Sequence, residues 1–213
     1  METELLGAGF SRIGGIDEAG RGPLAGPVVA AAVILPPPPW VGGLADLNGI
    51  DDSKRLSPGS REALHLAILR HALAFGIGQA EREEIDARNI LQATLLAMSR
   101  AVDAIAPPPQ YLLVDGRQLP PSLPCPARAV VGGDRLSLSV AAASIVAKVT
   151  RDRMMRQLAE RYPGYGWESN FGYPTREHRQ ALLSLGVTPE HRRSYAPVRE
   201  ALSHQGLPLP PRG

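Results

Sequence analysis

Cysteine is almost absent from this chain. Cys125 is the only one in 213 residues, and it sits between Pro124 and Pro126. No intrachain disulfide and no cysteine-based metal site can form, which fits a reducing cytosol. No motif surrounds Cys125, so no reactive role is assigned to it. The first residues carry Glu2 and Glu4 and lack the basic and apolar regions of a signal peptide. The longest apolar run, Val28 to Leu35, falls well short of the ~18 residues of a membrane span. A cytoplasmic protein without membrane contact is expected. The five histidines show neither H-E-x-x-H nor zinc-ligand spacing. His65 and His71 read as surface helix positions and His204 as a tail residue. No Walker A sequence occurs. The run Gly20 to Gly26 is not a dinucleotide fingerprint, because its third glycine comes one place late and an apolar strand follows it.

Hydrophobic residues make up 44% of the chain, enough for a real core in a single domain or a domain with a small appendage. Net charge is only +2, but it is unevenly spread. Residues 1–147 hold 12 Lys and Arg against 15 Asp and Glu, whereas residues 148–213 hold 11 against 6. An acidic body with a basic C-terminal third suits a metal site facing a nucleic acid, although ordinary surface variation gives the same pattern.

Ile13 to Asp17 reads as a short strand, and Val28 to Leu35 as a central one, apolar on both faces. Ser57-Pro58 opens a helix, with a cap residue followed by proline at the first helical position. Phe75 to Ala80 is a weaker strand. Ile85, Ile90, Leu91, Leu95, Met98 and Val102 carry helical spacing to about Ala106. Tyr111 to Asp115 and Ala127 to Val131 are further strands. Ala141 to Leu158 is a long helix, and shorter helical stretches lie near Arg176–Leu185 and Val198–Ser203. Strands followed by strand–helix alternation predict an α/β sheet with helices on both faces, and the basic C-terminal segment a helical appendage. The expected division is 1–150 as the α/β body and 151–213 as a basic, helical region.

Three strand-like runs end in acid: Asp17-Glu18, Asp115 and Asp134. Ligands of open α/β sheets gather beyond the strand carboxyl ends. If these strands are neighbours, four carboxylates converge and raise one another's pKa values unless cations neutralise them. Two Mg²⁺ ions would balance them and form a clamp for in-line attack on a phosphate. Each acid taken alone could equally be a turn residue. Gly20-Arg21-Gly22 follows the first pair at once, where bare backbone and an arginine suit a phosphate or a sugar.

Taken together, these motifs make the chain resemble the ribonuclease HII family over nearly its whole length. The resemblance rests on Gly15 to Gly26, Asp52-Ser53-Lys54-Arg55-Leu56-Ser57, Leu113-Val114-Asp115-Gly116 and Gly133-Asp134. It continues through Ala142 to Asp152, Gly172-Tyr173-Pro174-Thr175 and His191-Arg192-Arg193-Ser194-Tyr195. It implies a ribonuclease H-like fold with a mixed central sheet flanked by helices, residues 1–150 forming the catalytic domain and 151–213 a substrate-binding region, in an enzyme that cleaves RNA in RNA/DNA hybrids and cuts 5′ to single ribonucleotides embedded in duplex DNA. The products would carry 5′-phosphate and 3′-hydroxyl ends, as ribonucleotide removal and RNA primer processing require. Asp17, Glu18, Asp115 and Asp134 match the family's metal-binding acids, which work with two Mg²⁺ or Mn²⁺ ions. Gly20, Arg21 and Gly22 match the tripeptide that reads the 2′-hydroxyl, and Tyr173 the tyrosine that packs on the neighbouring deoxyribose.

Only the 2′-hydroxyl distinguishes RNA from DNA at a given sugar, and glycine-lined backbone can approach it closely. Ser53, Lys54, Lys148, Arg192 and Arg193 are expected to hold phosphates, which position a duplex without reading sequence. Each of them could instead be a solvated surface residue. Asn170-Phe171 departs from the His-Lys found in many members, and Arg176 or Arg179 could supply the missing basic contact. Ribonuclease HIII, a catalytically silent hybrid-binding module and a small-molecule phosphohydrolase are the alternatives. The short lead before the first strand and the arginine of Gly-Arg-Gly speak against ribonuclease HIII. The full acid set speaks against a silent module, and the spread of basic residues against a small ligand. A monomer is expected. The tail Gln205 to Leu209 lacks the aromatic pair of a clamp-binding peptide, so no such docking is expected of it.

Overall fold

The computed structural model describes residues 1–37, 47, 49–50 and 57–207. Five strands form one sheet: β1 (Ile13–Ala19), β2 (Val28–Ile34), β3 (Ala74–Ala80), β4 (Tyr111–Asp115) and β5 (Ala127–Val130). Their order is β3-β2-β1-β4-β5. β1 pairs antiparallel with β2 and parallel with β4, and β4 pairs parallel with β5. The sheet is therefore mixed, as expected. All seven residues of β2 are buried, which accounts for their uniformly apolar side chains.

The helices are α1 (Glu2–Gly7), α2 (Pro58–His71), α3 (Arg82–Arg88), α4 (Ile90–Asp103), α5 (Leu138–Arg161), α6 (Trp167–Asn170), α7 (Arg176–Ser184) and α8 (Ala196–His204). The chain divides into two compact units. The first unit takes residues 1–19, 29–79 and 95–149, and the second takes 20–28, 80–94 and 150–213.

In the first unit, Leu64, Ala67 and Ile68 of α2 and Ala142, Ala143, Ile145 and Val146 of α5 form one core with Ala31 and Val33. Gly15 explains how α5 comes so close to β1. A Cβ there would lie 2.1 Å from the Ser139 carbonyl carbon, so helix backbone rests directly on strand backbone. α4 packs on the other face of β3. Cβ atoms at Gly76 and Gly78 would fall 2.2 Å from the Ala101 and Ala97 carbonyl oxygens. The second unit gathers Leu24, Leu182, Val198, Ala201 and Leu202 in one cluster, and Ala25, Met155, Tyr165, Trp167 and Ala181 in another.

Ser57 caps α2 by accepting from the Ser60 amide at 3.1 Å, with Pro58 at the first helical position. The expected single helix from Ile85 to Ala106 is in fact two. Asn89 adopts φ 68°, and its Oδ1 accepts from the Leu91 and Gln92 amides, ending α3 and capping α4. α5 starts at Leu138, earlier than the apolar spacing alone suggested. His65 is buried at 2% exposure, which corrects its reading as a surface residue.

Candidate active site

The strand register assembles the acids. Ile16 of β1 pairs with Val114 of β4, so Asp17 and Asp115 follow side by side at adjacent strand ends. One carboxylate oxygen each from Asp17, Glu18 and Asp115 lie within 4.8 Å of one another. Asp17 is buried, and its Oδ1 accepts from the Glu18 amide at 2.7 Å. Burial raises the Asp17 pKa well above its ordinary value, and the charges of Glu18 and then Asp115 raise it further. Hydrogen bonds from the Glu18 backbone and the Ser144 side chain offset part of this. Hard oxygen ligands that repel one another at this spacing suit a divalent cation, whose charge removes the repulsion.

Asp134 lies beyond β5 in a 3-10 turn, Gly133–Arg135, and is buried. It is not part of the 4.8 Å cluster. Its turn is nevertheless tied to that cluster, because the Gly133 amide donates to Asp115 Oδ1 at 2.7 Å. The structure thus brings three of the four expected acids together and fastens the segment bearing the fourth to one of them.

The tripeptide after β1 belongs to the second unit. Gly20 is buried with φ 100°, whereas Arg21 and Gly22 are exposed. A Cβ on Gly20 would fall 2.1 Å from Arg151 Nε. The glycine at 20 is therefore required by the protein's own arginine. A Cβ on Gly22 would sit 3.5 Å from the ring of Tyr173, which is 40% exposed. The glycine and the tyrosine expected to read adjacent sugars are thus near neighbours.

Arg192 does not hold the position expected of a phosphate contact. Its side chain is fully buried. Nε donates to Gly26 O at 3.0 Å, Nη2 to Gly20 O at 2.6 Å and Pro27 O at 3.1 Å, and Nη1 to Arg21 O at 3.1 Å. Nη1 also donates to Tyr195 Oη at 3.1 Å, so all five donors are taken and none is left for a substrate. Lys148 is half-buried on α5. Arg193 is half-buried, with its amide donating to Asp86 Oδ2 at 3.0 Å. Ser53 and Lys54 lie outside the described residues.

Asn170 and Phe171 shape the approach to Tyr173. Asn170 Nδ2 donates to Tyr165 O, and Asn170 Oδ1 accepts from the Gly172 amide, both at 2.8 Å. The Arg156 guanidinium lies 5.4 Å from the centre of the Phe171 ring. Arg179 Nε donates to Pro174 O at 3.2 Å. Beneath this turn sit two buried histidines. His178 Nδ1 lies 3.0 Å from Tyr173 O, and Trp167 Nε1 donates to His178 Nε2. The two histidine Nε2 atoms are 3.0 Å apart. His191 Nδ1 accepts from the Thr188 amide at 3.0 Å, so Nε2 carries its proton. Burial, then the His178 charge, lowers the His191 pKa to about 3.

Sequence reasoning quoted Arg151 and Tyr195 within motifs but gave them no role, and it passed over Trp167, His178 and Asp86. A signal existed for Arg151: Ala147, Arg151 and Met155 are four residues apart on one helix face, and both flanking residues are buried. No comparable signal separated Arg192 from Arg193.

Comparison with known proteins agrees with this geometry. The family description "Ribonuclease HII" matches residues 14–198. A ribonuclease HII of Geobacillus kaustophilus is 57% identical over 201 residues, covering 94% of this chain and 74% of that protein. The ribonuclease H2 structure from Pyrococcus horikoshii superposes with a TM-score of 0.76 at 28% identity, covering 91% of this chain and 98% of that one. A Bst ribonuclease HIII in complex with Mn²⁺ gives a TM-score of 0.72 at 20% identity, covering 91% of this chain and 70% of that one. That likeness extends to the fold alone.

Proposed function

This chain belongs to the ribonuclease HII family and is a ribonuclease H endonuclease, and from that premise we propose that it cuts 5′ to a single ribonucleotide embedded in duplex DNA. The observation that carries the proposal is the convergence of Asp17, Glu18 and Asp115, directly followed in the chain by Gly20-Arg21-Gly22. Asp17, Glu18 and Asp115 would hold divalent cations, two Mg²⁺ or Mn²⁺ ions, with Asp134 as the fourth ligand. When bound, such cations lower the pKa of the attacking water and stabilise the leaving oxygen. Water adds to phosphorus as the bond to the 3′-oxygen breaks. That oxygen leaves as a 3′-hydroxyl, and the ribonucleotide keeps a 5′-phosphate.

The exposed backbone at Arg21 and Gly22 reads the 2′-hydroxyl, and Tyr173 packs on the deoxyribose beside it. Lys148 and Arg193 contribute charge toward phosphates. The protein acts as a cytoplasmic monomer in ribonucleotide removal and primer processing. Among the described residues no helix is long and apolar enough to cross a membrane. The 57% identity to a ribonuclease HII favours the first type of activity. The test is cleavage of a duplex with one embedded ribonucleotide, mapped to the nucleotide, with Mg²⁺ or Mn²⁺. A cut on the 5′ side that excess chelator abolishes is expected. Failure to cut that duplex while a continuous hybrid is cleaved would overturn the single-ribonucleotide reading.

A further inference from the structure

Two arginines in the second unit are buried without touching solvent: Arg151 is 1% exposed and Arg192 is 0% exposed. Between them they bind the carbonyls of Gly20, Arg21, Ala25, Gly26 and Pro27. Burying two like charges side by side is costly, and burial lowers the pKa of both, that of Arg151 to about 10. Both remain charged at neutral pH.

Peptide geometry gives this arrangement a consequence. Among the described residues the only cis bond is Ala106–Pro107, so the Gly20–Arg21 and Arg21–Gly22 peptides are trans. In a trans peptide the C=O and the next N–H point in opposite directions. Arg192 holds Gly20 O at 2.6 Å and Arg21 O at 3.1 Å from the buried side. The N–H groups of Arg21 and Gly22 must then face away from the guanidinium, toward the exposed side of the loop. Tyr195 strengthens this setting, since its hydroxyl donates to Arg21 O at 2.6 Å and accepts from Arg192 Nη1. Arg151 fixes the second half of the reader. It binds Pro27 O and Ala25 O on one side and Phe171 O, two residues before Tyr173, on the other.

We infer that Arg192 and Arg151 are positioning residues for ribose selectivity. Arg192 turns the Arg21 and Gly22 amides outward as donors to a 2′-hydroxyl, and Arg151 sets their spacing to Tyr173. The inference rests on the proposal that this tripeptide reads the ribose. The arginines touch no substrate and act through the backbone they hold. A lysine keeps the charge but lacks the planar fork that serves several carbonyls at once.

The test compares the full-length protein with Arg192→Lys, Tyr195→Phe and Tyr173→Ala variants. Single-turnover cleavage is measured on a duplex with one ribonucleotide and on a continuous RNA/DNA hybrid. One hydroxyl must carry recognition in the first substrate, whereas a hybrid also offers neighbouring hydroxyls and its own helical shape. For Arg192→Lys the single-ribonucleotide rate should fall at least tenfold further than the hybrid rate. For Tyr195→Phe, which removes one hydroxyl and leaves packing intact, the ratio should shift about threefold in the same direction. A general loss of folding would lower both rates equally and leave the ratio unchanged. If Tyr173→Ala shifts the ratio but neither Arg192→Lys nor Tyr195→Phe does, the positioning role is overturned. If none of the three shifts it, the ribose-reading proposal falls, and this inference with it. If Arg192→Lys does not fold, Tyr195→Phe decides alone.

Discussion

Two clusters of like charge lie in this protein, a partly buried acidic one and a buried basic one, and they are in opposite condition. In the first unit, Asp17, Glu18 and Asp115 crowd together, and the strain shows as a raised Asp17 pKa. In the second unit, Arg151 and Arg192 lie close together, but backbone carbonyls absorb their donors. The difference separates sites from scaffolds. A charge cluster whose groups are satisfied by the protein is part of the frame. One whose groups still repel needs something from outside.

The largest expected effect breaks the acidic half of that comparison. Asp17→Asn should lower the cleavage rate about 10³-fold or more, because a ligand and a charge are lost together. The same change should raise the thermal stability of the metal-free protein. The sign follows from the shift: the folded pKa is raised, so the folded state gains stability as pH falls through it and bears a cost while Asp17 is ionised. Asparagine keeps the acceptor for the Glu18 amide and removes the repulsion. Mn²⁺ should stabilise the native protein, by about 2.7 kcal/mol at one hundred times its Kd, and should stabilise the variant less. Thermal denaturation with and without chelator checks both. A variant less stable than the parent in chelator would show that the acids are scaffold after all.

Arg151→Ala probes the other half and should behave oppositely. It strips donors from Ala25 O and Phe171 O and leaves Arg192 with a broken frame. A loss of roughly 3–4 kcal/mol is expected by urea denaturation. Gly20→Ala should also be strongly destabilising, since its Cβ would meet Arg151 Nε and its φ is 100°. In a double-mutant cycle the Arg151→Ala background should relieve the steric part of that cost and leave the backbone part.

The histidine pair sharpens the comparison with a titration. His178 and His191 are buried and their folded pKa values lie below the ordinary 6.5, that of His191 near 3. The unfolded chain therefore takes up protons first as pH falls below about 6.5, and stability is lost over that interval. Between pH 6.5 and pH 4 the loss should approach about 3 kcal/mol, at 1.36 kcal/mol per unit. Glu177 and Tyr165 are titratable neighbours of the pair, and Tyr173 meets it through its backbone carbonyl. His191→Asn should flatten the acid limb of stability against pH. An unchanged limb would assign it to other groups.

The sheet and part of the acidic cluster were legible in the sequence because both depend on local pattern. Uniformly apolar Val28–Ile34 had to be a central strand, and the neighbouring ends of β1 and β4 bring Asp17, Glu18 and Asp115 together, whereas Asp134 stands outside that cluster. The break between α3 and α4 was not legible. It turns on one residue, Asn89, adopting a left-handed conformation inside continuous helical spacing. Arg192 was misplaced for a different reason. Arginines at 192 and 193 are chemically identical in the sequence, and only the fold decides which one faces the carbonyls of residues 20–27. Arg151 was missed even though its helical spacing between buried Ala147 and Met155 implied burial.

The smallest expected effect tests whether satisfaction, and not the sign of the charge, is what distinguishes the two clusters. Glu2 is an acid of the first unit, like Asp17, but it stands outside the acidic cluster. Glu2 Oε1 accepts from Ser137 Oγ at 2.7 Å and from the Ser139 amide at 3.0 Å, at the start of α5. It caps a helix whose first-turn amides have no partner within the helix, and its charge favours that end of the helix dipole. Glu2→Ala should therefore cost about 1 kcal/mol in urea denaturation, the usual worth of a cap. The contrast with Asp17→Asn lies in the sign: one lost carboxylate weakens the metal-free fold and the other strengthens it. If Glu2→Ala also stabilised the protein, relief of general negative charge would explain both changes. The acidic cluster would then lose its distinction as the group that waits for a cation.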